Sequence, residues 1–196
     1  MTQVFDEDGV AHPATMLRVE PAVVTQVKNA ETDGYEAVQI ATGAQKEYRI
    51  SKALKGHLGG AYQHIAEFRP RKNFDESIEG FEKGAAVAVT TFEAGDTIVV
   101  SAISKGKGFQ GGVKRYGFSG GPKTHGNKHH ERAPGSIGAI GLGRVFKGTR
   151  MAGRMGTDRV TVKNLKVLQV NEAENILLVS GAVPGRRGTL VEVRSA

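Results

Sequence analysis

Apolar and polar residues alternate in short runs over the first forty residues of this chain and again at residues 87–103, and turn sequences separate the runs. A period of two is typical of strands that bury one face. Strands are therefore predicted near Val4 and at residues 15–19, 23–28, 35–41, 87–92 and 97–103. Turn sequences at residues 6–9, 33–34 and 93–96 indicate hairpins between them.

The pattern changes between residues 49 and 68. Apolar residues there are spaced by three and four positions, which predicts one or two short helices: Leu54, Leu58, Tyr62, Ile65 and Phe68. The run Arg69-Pro70-Arg71-Lys72 ends the pattern, because proline does not continue a helix. We therefore expect a small helical insertion at about residues 49–72.

Strand patterns return at residues 160–170, 176–180 and 190–193, with turns at 171–175 and 184–188. Six or more short strands from both ends of the chain predict a mainly β fold, in which residues 1–104 and 160–196 form one antiparallel barrel. Residues 105–159 then extend from the barrel as a long loop. The alternative is two domains divided near Ser104, and we prefer the single barrel because neither half offers a large core.

Positive charge is concentrated in residues 105–159, which we call the basic segment. It contains twelve Lys or Arg, two acidic residues and fifteen Gly, so it carries about ten net positive charges. The whole chain of 196 residues has a formal net charge of +7, so the remainder is slightly negative. Glycine loses much backbone entropy on ordering and like charges repel, so the segment should be mobile by itself and take its shape around a polyanion such as RNA.

The predicted contacts with RNA are all the Lys and Arg of the basic segment, which neutralise phosphates or bind base edges, and two His that assist them. The set is Lys105, Lys107, Lys114, Arg115, Lys123, His125, Lys128, His129, Arg132, Arg144, Lys147, Arg150, Arg154 and Arg159. Four aromatic residues are interspersed among them. These either stack on unpaired bases or form a small apolar core under the loop: Phe109, Tyr116, Phe118 and Phe146.

A metal site is the first alternative for part of this segment, because His125, His129, His130 and Glu131 lie close together in sequence. The neighbouring Gly and Pro oppose the helix that would align these side chains. No metal is therefore predicted, and the imidazoles are expected to stack on bases or to bond with phosphates.

The run Gly106-Lys107-Gly108-Phe109-Gln110-Gly111 matches a nucleotide-binding glycine string. The residues after it are not expected to form the helix that would hold a pyrophosphate, and no βαβ unit surrounds them. The alternative of an enzyme with a basic lid over a phosphate loop is therefore disfavoured. Paired carboxylates, a serine elbow and a triad-like grouping are absent from the sequence, so we predict no enzymatic activity, no cofactor and no small-molecule substrate. A free-standing nucleic-acid chaperone is a third alternative.

The chain contains no Cys, which excludes disulfides, thiolate zinc sites and cysteine nucleophiles and fits a reducing cytoplasm. The acidic residues near the N-terminus do not resemble a signal peptide, and no apolar run approaches the roughly 20 residues of a membrane span. We therefore expect a soluble cytoplasmic protein without membrane contact.

Several strings occur in a distinctive order and spacing along the basic segment: Ser104-Lys105-Gly106-Lys107-Gly108-Phe109-Gln110-Gly111, Lys114-Arg115-Tyr116-Gly117-Phe118, Thr124-His125-Gly126, Pro134-Gly135-Ser136-Ile137-Gly138, Gly143-Arg144-Val145-Phe146-Lys147-Gly148 and Met151-Ala152-Gly153-Arg154-Met155-Gly156. Two more occur near the ends of the chain: Met1-Thr2-Gln3-Val4-Phe5-Asp6 and Gly181-Ala182-Val183-Pro184-Gly185. Together they resemble the bacterial large-subunit ribosomal protein L three family over nearly the whole chain.

The resemblance implies a six-stranded antiparallel β-barrel of the translation-protein type, with a long loop that enters ribosomal RNA toward the peptidyl transferase centre. It also implies a structural protein of the large ribosomal subunit that binds 23S-type rRNA near its 3′ end and nucleates subunit assembly. The implied partners are this rRNA and neighbouring large-subunit proteins. The tip of the loop corresponds to residues 144–159.

The chain departs from the family pattern at two places in the basic segment. Arg154 stands where many bacterial members have a glutamine that can be methylated, so this modification is not expected here. Leu142-Gly143 stands where Pro-Gly is common. The family also usually has further residues before the Met-Thr-Gln string.

Overall fold

The structure is a computed structural model that describes residues 1–70, 78 and 80–196. The chain forms two compact units. Unit 1 comprises Met1–Thr97 and Leu165–Ala182, and unit 2 comprises Ile98–Asn164 and Val183–Ala196. The predicted helical insertion extends to Arg71 and Lys72, and these two positions lie outside the described residues.

The mainly β class predicted from the alternation is confirmed, since strands make up 37% and helices 12% of the described residues. In these ranges the strands are β1 (Thr2–Phe5), β2 (Ala11–Arg18), β3 (Ala22–Lys28), β4 (Ala37–Ala44), β5 (Tyr62–Phe68), β6 (Ala86–Val87), β7 (Thr97–Ile103), β8 (Phe109–Gln110), β9 (Gly153–Arg154), β10 (Arg159–Asn171), β11 (Ile176–Ser180) and β12 (Val191–Ser195). The α-helices are α1 (Ala30–Asp33), α2 (Lys52–Leu58) and α3 (Gly112–Tyr116), and single turns of 3-10 helix lie at Glu47–Arg49 and Val89–Thr91.

Unit 1 contains two groups of antiparallel strands. In the first, β1, β2, β11 and residues 165–171 of β10 are hydrogen-bonded in that order. In the second, the order is β5, β4, β3 and β6. Burial of apolar side chains on these strands stabilises the unit, and the largest of the fully buried ones are Val24, Val167, Leu177 and Val179.

Helix α2 confirms the first half of the predicted helical insertion. It begins after Ser51, whose Oγ accepts the backbone N–H of Leu54 at 3.2 Å and so satisfies a free donor of the first turn. It ends at Gly59, which adopts a left-handed conformation with φ of 69°. This conformation favours glycine, so the helix stops where the sequence supplies one.

The helix predicted over Tyr62, Ile65 and Phe68 is wrong, because these residues form strand β5. The strand pairs antiparallel with β4, and Phe68 lies opposite Val38. Alternate residues of β5 are half-buried, and Ile65 points to the other face, where it is 38% exposed. Residues four positions apart lie on one face of a strand as well as on one face of a helix, so the spacing does not distinguish the two elements. Gly59 ends the helix, and pairing with β4 then makes the following residues a strand.

The strand predicted at residues 87–92 is also largely wrong. Only Ala86–Val87 pair as β6, and a 3-10 turn follows. Both the backbone N–H and the hydroxyl of Thr91 donate to the carbonyl oxygen of Ala88, at 3.3 Å and 2.8 Å. Thr side chains that bond to the local backbone compete with strand pairing, which explains the early end of β6.

Unit 2 is built on β7, whose predicted bounds are confirmed. It pairs antiparallel with β12 on one side and is hydrogen-bonded to β10 on the other. The hydroxyl oxygens of Ser101 and Thr161 lie 2.8 Å apart between β7 and β10. Among the described residues of unit 2, the buried apolar side chains lie on β7: Ile98, Val99, Val100 and Ala102.

The closed barrel stays a prediction. In the described ranges the hydrogen-bonded strand orders end at free edges, so the sheets are not closed. The division of the chain into a barrel at residues 1–104 and 160–196 and a loop at 105–159 also stays a prediction. None of the helices in the described ranges has the length and apolar character that crossing a membrane requires.

Candidate nucleic-acid interface

The two ends of the basic segment pair with each other. The N–H of Ser104 donates to the carbonyl of Asp158 at 2.9 Å, and the N–H of Lys107 donates to the carbonyl of Met155 at the same distance. The N–H of Met155 donates to the carbonyl of Gly108 at 3.0 Å. Strands β8 and β9 continue this antiparallel pairing. The segment therefore begins and ends in a short two-stranded base that periodicity did not predict.

Gly156 makes this close pairing possible. It adopts a left-handed φ of 81°, and a Cβ at this position would lie 2.2 Å from the carbonyl oxygen of Lys105. Both the dihedral angle and the space exclude a side chain. Glycine thus allows close pairing at the base of the segment, in addition to the close approach to RNA that we expect elsewhere in it.

A short helix follows the glycine string, so the expectation that these residues form no helix is wrong. Helix α3 has five residues and ends at Gly117, which adopts a left-handed φ of 74°. The strands that flank α3 pair antiparallel with each other, so the βαβ context of a dinucleotide site is absent from the described residues. This topology therefore opposes a nucleotide-binding loop.

Arg115 on α3 links the first part of the basic segment to its last part. Its Nη1 donates to the carbonyl oxygen of Met151 at 2.7 Å. Gly153 provides the space for this bond, because a Cβ there would lie 2.6 Å from Nη1 of Arg115. This predicted RNA contact is partly buried and bonds within the protein, so the structure gives it a positioning role.

Aromatic rings pack next to α3. The rings of Tyr116 and Phe118 are stacked, with centroids 5.8 Å apart and an angle of 30° between planes. Phe118 packs against the backbone of Gly112, where a Cβ would lie 2.7 Å from its ring. The guanidinium groups of Arg115 and Arg150 lie 5.0 Å and 5.8 Å from the centroid of the Tyr116 ring, within reach of a cation–π interaction. The remaining predicted aromatics, Phe109 and Phe146, are exposed.

The middle of the segment is shaped by backbone contacts. The N–H of Gly121 donates to the carbonyl of Glu131 at 2.9 Å, and a Cβ at Gly120 would lie 2.0 Å from the same oxygen. His125 and His129 adopt positive φ angles of 60° and 53°. Across the described parts of the chain, no three His, Asp or Glu side chains are arranged to hold a metal ion.

Thirteen of the fourteen predicted RNA contacts are exposed, and Arg115 is the exception. The exposed set is Lys105, Lys107, Lys114, Lys123, His125, Lys128, His129, Arg132, Arg144, Lys147, Arg150, Arg154 and Arg159. Among the described ion pairs, only the pair of Arg159 involves one of these residues. Most of the positive charge of the segment is therefore not neutralised by the described part of the protein.

Arg159 and Arg154 differ from the other cations in the set. Both guanidinium nitrogens of Arg159 donate to the carboxylate of Glu192, one of them at 2.8 Å, and this raises the pKa of Arg159 above its ordinary value. Arg154 donates to the hydroxyl of Thr157 at 2.5 Å. Sequence reasoning missed Glu192 because no local pattern connects a residue of β12 with the start of β10.

An antiparallel β framework that carries an exposed, strongly basic segment defines a class of protein suited to a polyanionic partner. The family model for Ribosomal protein L3 matches residues 64–175 of the chain. The large ribosomal subunit protein uL3 of Streptococcus pyogenes serotype M1 is 49% identical over 196 residues, which cover 100% of this chain and 92% of the relative. The protein of the same name from serotype M5 (strain Manfredo) is 48% identical with the same coverage. The chain belongs to the ribosomal protein L3 family.

Family membership makes the chain a structural protein of the large ribosomal subunit and not an enzyme, as the sequence predicted. Like other bacterial ribosomal proteins, it is part of the ribosome in the cytoplasm, where it associates with rRNA and other ribosomal proteins.

Proposed function

We propose that the basic segment is the part of this ribosomal protein that binds large-subunit rRNA. One observation carries the proposal: about ten net positive charges are concentrated in a segment whose cations are almost all exposed. Each Lys or Arg that approaches a phosphate releases a condensed counterion, which favours binding. The glycines allow the backbone to pass close to a crowded RNA surface.

The proposed contacts fall into two groups. The exposed cations bind phosphates or base edges directly: Lys105, Lys107, Lys114, Lys123, Lys128, Arg132, Arg144, Lys147, Arg150 and Arg154, assisted by His125 and His129. Arg115 and Arg159 already have partners within the protein. They fix the segment at α3 and at its junction with β10, and Arg159 presents its remaining N–H groups to RNA.

The resemblance to the family supports three finer proposals. The strands from both chain ends form a six-stranded barrel of the translation-protein type, and the basic segment extends from it toward the peptidyl transferase centre. The rRNA is bound near its 3′ end, early enough to nucleate assembly of the subunit. Neighbouring large-subunit proteins contact the barrel.

The experiment compares binding of the full chain to two transcripts of equal length, one from the 3′ part and one from the 5′ part of large-subunit rRNA. We expect tighter binding to the 3′ transcript and a steep decrease with salt. A variant with Lys123, Lys128, Arg144 and Lys147 changed to Gln should bind more weakly and with a shallower salt dependence. Equal binding to both transcripts, unaffected by this variant, would contradict the proposal and favour a non-specific chaperone.

Reconstitution tests the assembly role separately. Leaving this protein out of a large-subunit reconstitution should stop assembly at an early particle, and adding it late should not restore the normal rate. Normal assembly in its absence would refute a nucleating role while leaving the rRNA-binding proposal intact.

A further inference from the structure

An open cleft of about 650 Å³ lies on the surface of the basic segment. It is large enough for a small organic group. Its lining includes two aromatic rings, one guanidinium, one imidazole and one amide: Tyr116, Phe118, Arg150, His130 and Asn127. Every lining residue belongs to residues 116–150, so the cleft is formed by the segment alone.

The aromatic wall of the cleft is fixed in place. Phe118 rests on the backbone of Gly112, and the ring of Tyr116 stacks on Phe118. Tyr116 is 36% exposed, so a base can reach its ring beside the guanidinium groups of Arg115 and Arg150 that lie over it. A supported and accessible aromatic surface is what stacking on a nucleobase requires, since every base has a π face.

The polar groups of the cleft suit an anionic ligand with hydrogen-bonding edges. Arg150 lies 5.8 Å from the centre of the Tyr116 ring, close enough to bind a phosphate attached to a stacked base. The side-chain N–H of Asn127 donates to the carbonyl of Pro122 at 2.5 Å, which orients its amide. An amide has two N–H groups and an acceptor oxygen, so further bonding capacity remains. No Asp or Glu of the described residues lines the cleft.

We propose that this cleft binds one unpaired nucleotide of RNA. The base stacks on Tyr116, Arg150 binds its phosphate, and Asn127 bonds with the base edge. Only one Arg lines the cleft, whereas Lys123, Lys128 and Arg132 occur in the same stretch of chain outside the lining. This arrangement fits a nucleotide whose neighbours continue as a phosphate chain better than a free mononucleotide. The inference rests on the proposed function, since it names what part of the segment recognises in RNA.

The test uses the full chain and two RNA hairpins with the same number of nucleotides, one fully paired and one with a single bulged 2-aminopurine. We expect the bulged hairpin to bind about tenfold more tightly, and its fluorescence to fall as the base stacks. Tyr116→Ala should remove both effects while keeping the affinity for the paired hairpin, and Tyr116→Phe should restore them. Arg150→Ala should reduce the preference with the ring still present.

Tyr48→Ala is the matched control, because Tyr48 is a 75% exposed tyrosine outside the basic segment that does not line the cleft. It should keep the full preference for the bulged hairpin. Circular dichroism melting of each variant reports whether it is folded.

Three results would overturn the inference: equal affinity of the unaltered chain for both hairpins, an unchanged preference in both Tyr116→Ala and Arg150→Ala, or adenosine monophosphate binding as tightly as the bulged hairpin. If the chain binds large-subunit rRNA without preferring the bulge, only this inference fails. If it binds no RNA at all, the proposed function fails as well.

Discussion

Strand β7 and the basic segment obtain their structures in opposite ways. Five consecutive residues of β7 are buried, four of them apolar, so side-chain burial determines its position. In the 55 residues of the basic segment, Gly112 is the only buried residue. Its described shape comes from backbone hydrogen bonds and from places where only glycine fits, such as Gly120 and Gly156.

The difference explains how an exposed segment can have a defined shape and still present its side chains to a partner. Eight of its fifteen glycines have positive φ, a conformation that other residues rarely adopt, so glycine permits this path of the chain without a core. That the segment is mobile in the absence of RNA stays a prediction. The side chains are then available for RNA. A change to the strand framework should therefore affect stability, and a change to an exposed cation of the segment should affect binding.

The largest expected effect is on the strand framework. Leu177 on β11 is fully buried, and Leu177→Ala should lower the free energy of unfolding by about 2–5 kcal/mol because it leaves a cavity. Urea unfolding followed by circular dichroism measures this change. Leu142→Ala, the same substitution at a 48% exposed position of the basic segment, should leave stability nearly unchanged. Similar losses in the two variants would mean that the segment has a core of its own.

The next effect concerns the base of the segment. Gly156→Ala should destabilise the protein by more than about 1 kcal/mol, because the new Cβ meets the carbonyl of Lys105 and the residue keeps a positive φ. Gly108 also has a positive φ, of 66°, but open space around it. Gly108→Ala therefore separates backbone strain from steric conflict in the same denaturation measurement. If the two variants lose equal stability, close packing at Gly156 is not important.

A smaller effect is expected for a single exposed cation. Arg144→Ala should weaken rRNA binding and lower the slope of log affinity against log salt by about 1, while the melting temperature stays the same. Arg18→Ala, at an exposed Arg at the end of β2, should cause a smaller loss. Filter binding across a salt series gives both slopes. A lower melting temperature in Arg144→Ala would place this residue in the framework instead.

The smallest effect is a pH dependence confined to the framework. A hydrogen bond from the ring of His12 at 2.9 Å, and a second from the N–H of Val10, lower the pKa of Asp6 below its ordinary value of 3.8. The carboxylate therefore stabilises the β1–β2 hairpin above that pH, and this contribution is lost as pH falls through the lowered pKa. The protection factors of the β1 amides in NMR hydrogen exchange, which correct for the intrinsic pH dependence of exchange, should fall at acid pH, and Asp6→Asn should abolish this pH response. Acid-induced changes in β8 and β9 instead would contradict the assignment.

Sequence patterns predicted the elements that local chemistry determines. Strands β7 and β11 were predicted with their observed bounds because alternation and flanking turns agree there. The pattern failed at Tyr62, where Gly59 ends the helix and pairing with β4 produces a strand. It also missed β8 and β9, because Phe109 and Arg154 pair across a long separation that periodicity does not show, and α3, because its 5 residues are too few to show a helical period.

The composition of residues 105–159 predicted the positive charge of the candidate site, but the sequence did not predict its geometry. The position of Arg115 depends on a backbone oxygen 36 residues away, and Arg159 meets Glu192 on another strand. Such partners follow from the tertiary path of the chain. The cleft at Tyr116 likewise combines residues between 116 and 135 with Arg150, so it forms only in the folded chain.

Ultraviolet cross-linking of the full chain to large-subunit rRNA, followed by mass spectrometry of the linked peptides, tests the central claim most directly. The account predicts that most cross-linked peptides come from residues 105–159, with Tyr116 among the linked positions. Cross-links confined to the strands outside that range, with the basic segment free of them, would contradict it.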